Sequence, residues 1–178
     1  ELTRDIAQKF NIEFSCPNFF TAPEPLIQKT FARIMSLKDG KKKMSKSDPS
    51  DLSRINLTDT KEEIINKIKK AKTDSFPIPS EEQKLKDRPE AENLLGIYSS
   101  ILNQTLDKTL AEFGGKNFSD LKSQLAEVLS DKISPISDEI KKLMNDQEYL
   151  DKILTQGAWR AEEIAGKKIK EMKKIIGF

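Results

Sequence analysis

The 178-residue chain is predicted to be mainly α-helical. Three observations lead there. Apolar residues recur at three- and four-residue spacing from Thr58 to the end. No strand-rich stretch follows Leu57. Glycine and proline punctuate the periodic segments.

The first segment is helical to about Asn11, with Leu2, Ile6 and Phe10 four residues apart. A loop through Pro17, Pro23 and Pro25 follows. Arg33–Leu37 is a short apolar run ending at the turn Asp39-Gly40, which suits a buried strand. Lys41–Pro49 is polar and basic without amphipathic periodicity, which predicts an exposed loop. Thr58 or Asp59 can cap the next helix, with Glu62 or Glu63 completing a capping box. Its apolar face is Ile64, Ile65, Ile68 and Ala71. Thr73–Arg88 reads as a polar loop, and Pro89 suits the first position of a helix carrying Leu94, Leu95, Tyr98, Ile101 and Leu102. A helix near Leu106–Phe113 is stopped by Gly114-Gly115. Leu121, Leu125, Val128 and Leu129 continue the spacing, which Ile136, Ile140, Leu143 and Met144 extend past Pro135, where a kink or break is expected. The last helix is expected to start near Gly157 and end at Gly177.

Composition sets limits on function. The charged fraction is 34% in both signs and the net charge only +2, so any nucleic-acid contact must come from a local patch. No apolar stretch approaches the roughly 18 residues that span a bilayer. One cysteine, Cys16, excludes an internal disulfide framework and points to a reducing compartment. With no histidine, neither a Ser-His-Asp triad nor the usual zinc site can be built from these residues. The chain has no initiator methionine and opens directly into a helical pattern, as expected of a piece of a longer protein. Cys16, Tyr98 and Trp159 read as packing residues.

Gly40-Lys41-Lys42-Lys43-Met44-Ser45-Lys46-Ser47-Asp48-Pro49 concentrates ammonium groups and small hydroxyls in one short stretch. Lysines there could grip a polyphosphate, most strongly where charge grows on a departing pyrophosphate. It is not a Walker loop, since no second glycine and no GK[ST] follow Gly40. On composition alone, a solvated loop without a ligand is the competing reading.

The wording goes further. Lys43–Ser47 matches letter for letter the KMSKS signature of class I aminoacyl-tRNA synthetases. The surrounding Arg33–Asp51 resembles the tryptophanyl-tRNA synthetase family in particular. So do Glu1–Asn11, Lys67–Ser75, Asn93–Ile101 (NLLGIYSSI) and Leu150–Ala165, so the resemblance covers essentially the whole chain.

The resemblance implies an aminoacyl-tRNA ligase using ATP with Mg²⁺, L-tryptophan and tRNA(Trp), homodimeric when intact. Lys46, and secondarily Lys43, would contact the ATP phosphates. Ser45 and Ser47 would contribute hydroxyls, and Met44 would position the loop near the adenine. Ile34 corresponds to a family position lining the adenine pocket, although on the residues alone it reads as core. No protein-bound metal is implied. Residues 1–48 would be the C-terminal part of a Rossmann-type catalytic domain. Residues 49–147 would form an α-helical anticodon-binding domain, and 148–178 the helices that return to the catalytic domain. Leu2, Ile6, Phe10 and the Arg33–Leu37 run would normally bury against the sheet of the amino-terminal half. Without it, residues 1–48 are expected to associate or to be poorly ordered.

That half, with its HIGH-type motif and tryptophan pocket, lies outside this sequence. The chain alone is therefore expected to form no adenylate. The expected compartment is the cytoplasm, with an organellar matrix as the alternative. Arg160–Phe178 carries six basic and three acidic residues, enough for tRNA phosphates or simply a solvated face. A competing reading of the whole is a non-catalytic helical tRNA-binding or interaction module.

Overall fold

The computed structural model describes residues 1–27 and 31–178. Among them are six α-helices and one two-stranded sheet: α1 (Leu2–Glu13), β1 (Met35–Ser36), β2 (Asp39–Lys43), α2 (Lys61–Lys70), α3 (Pro89–Ile101), α4 (Leu106–Phe113), α5 (Phe118–Met144) and α6 (Gln147–Ile176). The chain divides into two compact units, Gln28–Asn145 and Glu1–Ile27 with Asp146–Phe178.

The core of the first unit is built by α2, α3, α4 and α5. Ile64 and Ile68 of α2, Leu94 and Leu95 of α3, Phe113 of α4, and Leu121 and Leu125 of α5 are all buried. Helix α3 is apolar on nearly every side, with eight consecutive-face residues from Ala91 to Ser99 enclosed by neighbours. Leu37 joins this core at 2% exposure. Of the Arg33–Leu37 run, Ser36 and Leu37 are thus buried in this unit, Met35 is half-buried, and Arg33 and Ile34 are exposed.

Local signals explain most boundaries. The cap of α2 is Thr60, one residue beyond the expected pair, and Glu63 closes the box. The Thr60 N–H donates to the Glu63 carboxylate at 2.7 Å, and the Glu63 N–H to Thr60 Oγ1 at 3.3 Å. Within the expected polar loop, Ile78 and Leu85 are buried and Glu82–Leu85 forms a 3₁₀ turn. Ile65 points outward, and the fourth position of the α2 stripe is taken by Lys67.

Pro135 does not split α5, which runs unbroken from Phe118 to Met144. Proline removes one intrahelical hydrogen bond. Ile133 and Ser137 are buried on either side of it, so packing holds both halves in line.

In the second unit, α6 starts ten residues before Gly157, where the Asp146 side chain accepts from the Tyr149 N–H at 3.0 Å. Gly177, at φ 93°, ends the helix in the left-handed region that glycine favours. Trp159 lies in mid-helix and is 66% exposed, so it is not a packing residue among the described residues. Leu2 and Ile6 of α1 are exposed as well. An aromatic group of Phe10, Phe14, Phe19 and Phe20 holds the segment after α1, and the Asn11 amide fixes the Phe20 backbone by one donated and one accepted hydrogen bond. The Lys168 ammonium sits 3.9 Å above the Phe19 ring.

Candidate functional site

The lysine/serine stretch leaves the sheet at Lys43. Strands β1 and β2 are antiparallel, with Ser36 opposite Asp39 and Met35 opposite Lys43, so the register slips between the two pairs. Lys41–Lys43 is therefore strand, not loop as its composition suggested. Gly40 lies in the stretch of β2 between the partners of Ser36 and Met35. It is turned so far onto α3 that a Cβ there would lie 2.6 Å from the Glu90 nitrogen. Only glycine permits that approach of hairpin to helix.

The ladder continues one step beyond the sheet, since the Met44 N–H donates to the Ile34 carbonyl at 3.0 Å. This brings together two residues predicted for the site. Ile34 is 43% exposed, so its side chain is not core. Met44 is half-buried against the helical core, which anchors the start of the loop. Lys43, Ser45, Lys46 and Ser47 are exposed. The hydroxyls of Ser45 and Ser47 lie 3.0 Å apart, and the Ser47 N–H donates to Ser45 Oγ at 3.3 Å, giving a tight polar turn. Among the described residues, the hairpin ion pair involves Lys42 and Asp39 at 3.9 Å, leaving the Lys43 and Lys46 ammonium groups without a carboxylate partner.

Behind the loop lies a cluster that sequence reasoning missed. Arg54 donates to the Asp48 carbonyl at 2.9 Å and the Ser50 carbonyl at 3.3 Å, tying down the chain just after Ser47. It also bonds Asn56 at 3.1 Å and pairs with Asp51 at 3.1 Å. Lys67, 3% exposed, reaches both Asp51 and Asp59 at 2.6 Å. Asp59, 6% exposed, also accepts from the Asn56 backbone and amide. Paired charges and filled acceptors make such burial tolerable. Burial opposes the charged form of Lys67, but the hydrogen bonds it donates to both aspartates outweigh it and its pKa is raised. Asp51 is held below its ordinary value by the Lys67 hydrogen bond, then by Asn56.

The hairpin has a second clamp. Asn93 of α3, 2% exposed, donates from Nδ2 to the Met35 carbonyl and accepts from the Met35 N–H, both at 2.9 Å. Nearby, Lys72 pairs with Glu90 at 2.8 Å. This hydrogen bond is the leading cause that raises the Lys72 pKa and lowers that of Glu90.

A signal for these residues was available. Lys67 falls three residues after Ile64 and beside Ile68, on an apolar face, where a cation demands partners. Asn93 falls in an otherwise apolar helix. Their partners, distant in sequence, were not readable.

Residues 1–153 match the family described as tRNA synthetases class I (W and Y). The chain belongs to that family. Members similar to this class I (W and Y) chain include the tryptophan–tRNA ligase of Caulobacter vibrioides, 49% identical over all of this chain and 52% of the relative. The tryptophan–tRNA ligase of Rickettsia conorii is 47% identical over all of this chain and 53% of that protein. The chain thus spans about half the length of the curated relatives it matches. Among solved structures, tryptophanyl-tRNA synthetase from Mycoplasma pneumoniae superposes at TM-score 0.83 with 29% identity, over 99% of this chain and 52% of that one. The Campylobacter jejuni enzyme, complexed with ADP and tryptophan, shares the fold at TM-score 0.65 and 24% identity, over 98% of this chain and 52% of its own. Lys43–Ser47 lies within the matched residues 1–153. No helix among the described residues is long and apolar enough to cross a membrane.

Proposed function

We propose that the protein to which this chain belongs is a tryptophan–tRNA ligase and that Lys43–Ser47 grips the phosphates of its ATP. A tryptophan carboxylate oxygen bonds to the α-phosphorus as the α–β bridging P–O bond breaks, releasing pyrophosphate. A terminal ribose hydroxyl of tRNA(Trp) then attacks the tryptophanyl carbonyl carbon, and its bond to AMP breaks. One observation carries the reading: two exposed lysines, Lys43 just before it and Lys46 within it, sit on a loop anchored at Met44 and again at Asp48. Flexible cations on a fixed base can follow charge as it moves onto the leaving pyrophosphate. Ser45 and Ser47 would exchange their mutual hydrogen bond for phosphate oxygens. Met44 would set the loop's height, and exposed Ile34 beside it would meet the adenine. Mg²⁺ would enter with the nucleotide.

In the same reading, residues 1–48 complete a Rossmann-type catalytic domain, 49–147 bind the anticodon and 148–178 return to the catalytic domain. The grouping of Glu1–Ile27 with Asp146–Phe178 supports that return. A cytoplasmic homodimer with its remaining active-site residues outside these 178 is the form we propose. Family membership disfavours a non-catalytic RNA module.

The test is Lys46→Ala in the full-length protein. Tryptophan-dependent pyrophosphate exchange should slow by about a hundredfold, as for loss of one preorganised charge contact. Tryptophan affinity should stay nearly constant, because the charge Lys46 meets develops in the transition state. Normal turnover with weakened tryptophan binding would overturn the assignment.

A further inference from the structure

We propose that Asn93 is a positioning residue for the phosphate-gripping loop, a role that rests on the function proposed above. The Asn93 amide does for Met35 what a neighbouring strand would do, satisfying its N–H and its carbonyl together at 2.9 Å. Met35 lies between Ile34, whose carbonyl holds the Met44 N–H at 3.0 Å, and Ser36, the last residue of β1. Met35 is also opposite Lys43. A single buried side chain of α3 thus fixes the strand residue on which both the first lysine of the motif and the first residue after β2 depend.

The geometry distinguishes this from ordinary helix packing. A strand of two residues has few ladder bonds of its own, and β1 gains two from one amide. On the other strand, Gly40 lies against the Pro89–Glu90 backbone at the start of the same helix. Asn93 follows one helical turn later. Helix α3 therefore touches both strands, with a close backbone approach on β2 and a two-point hydrogen bond on β1. Loss of either would let the hairpin shift on α3 and carry Lys43 and Lys46 with it. Displacement of about 1 Å at a reacting centre can cost up to a hundredfold in rate.

The experiment is Asn93→Leu in the full-length protein, which keeps volume and removes both hydrogen bonds. Pyrophosphate exchange should lose between about tenfold and a hundredfold in kcat/KM for ATP, with KM for tryptophan unchanged. Amide hydrogen exchange at Met35 and Met44 should accelerate, while that of α5 core amides should not. Ser99→Ala is the control for stability alone. Ser99 is buried on the same helix and bonds Leu95 and Thr109, away from the hairpin. An equal loss of ATP kinetics in Ser99→Ala, or unchanged ATP kinetics in a folded Asn93→Leu, would overturn the proposal. Should Asn93→Leu not fold, Gly40→Ala lifts the hairpin from the same helix by its other strand and carries the same expectation. The two readings fail separately. Unchanged pyrophosphate exchange in Lys46→Ala sinks the function of the loop, whereas a slow Met44 amide in Asn93→Leu sinks the clamp.

Discussion

The Met44 N–H donates to the Ile34 carbonyl at 3.0 Å, joining the residue that opens the exposed loop to one ten positions earlier. The two side chains then go opposite ways, Met44 toward the helical core and Ile34 into solvent. Shared backbone and divided side chains allow their roles to be separated. Ile34→Ser should change stability by less than about 0.5 kcal/mol, as at other exposed positions, yet raise KM for ATP in the full-length protein. Met44→Ala should cost about 1–2 kcal/mol, below the range for fully buried methionines. Urea unfolding beside ATP kinetics measures both. A large stability loss for Ile34→Ser would return it to the core.

Lys67→Met should destabilise the chain by about 3 kcal/mol, because Asp59 would be left buried without its cation. Most of the loss should be recovered in Lys67→Met/Asp59→Leu, where no charge is stranded. Urea midpoints of the two variants decide it, and equal destabilisation in both would show that the pair is not the cause.

The same cluster sets a pH window. Asp51 has a folded pKa below its ordinary value, so its stabilisation is complete above about pH 4 and lost as pH falls through the lower folded value. Lys67 has a folded pKa above its ordinary value, so its contribution is present below about pH 10.4 and lost as pH rises beyond it. Thermal midpoints should therefore form a plateau between these limits. Asp51→Asn should soften the acid limb, and an unchanged acid limb would exclude Asp51 as a contributor.

Two glycines should respond with opposite signs. Gly40→Ala must push the hairpin from the Pro89–Glu90 backbone and should cost about 1–3 kcal/mol. A Cβ at Gly157 would meet nothing within 4 Å, and Gly157→Ala should stabilise α6 by about 1 kcal/mol. Denaturation of the unit holding Gln28–Asn145 reports the first and helix amide exchange the second.

Removing the α2 cap by Thr60→Ala should cost about 1 kcal/mol, since both halves of the capping box are present. Glu63→Ala should cost less, because Thr60 Oγ1 still accepts from the backbone N–H of residue 63. Urea unfolding gives the order, and reversal of it would contradict the box.

By itself the sequence determined the helical class, the helix-terminating Gly177 and the Lys43–Ser47 motif, and it narrowed the capping glutamate to Glu62 or Glu63. Each depends on residues within one or two turns, where period and backbone chemistry act directly. Tertiary structure decided what lay between distant positions. It made Lys41–Lys43 a strand by setting Gly40 on α3, and it kept α5 whole across Pro135 by burying Ile133 and Ser137. It joined Lys67 to Asp51 and Asp59, and Asn93 to Met35 across 58 positions. A charge or amide on an apolar face announces that it must be satisfied; only the folded chain supplies the partner, because the penalty of leaving it unpaired is paid in the interior.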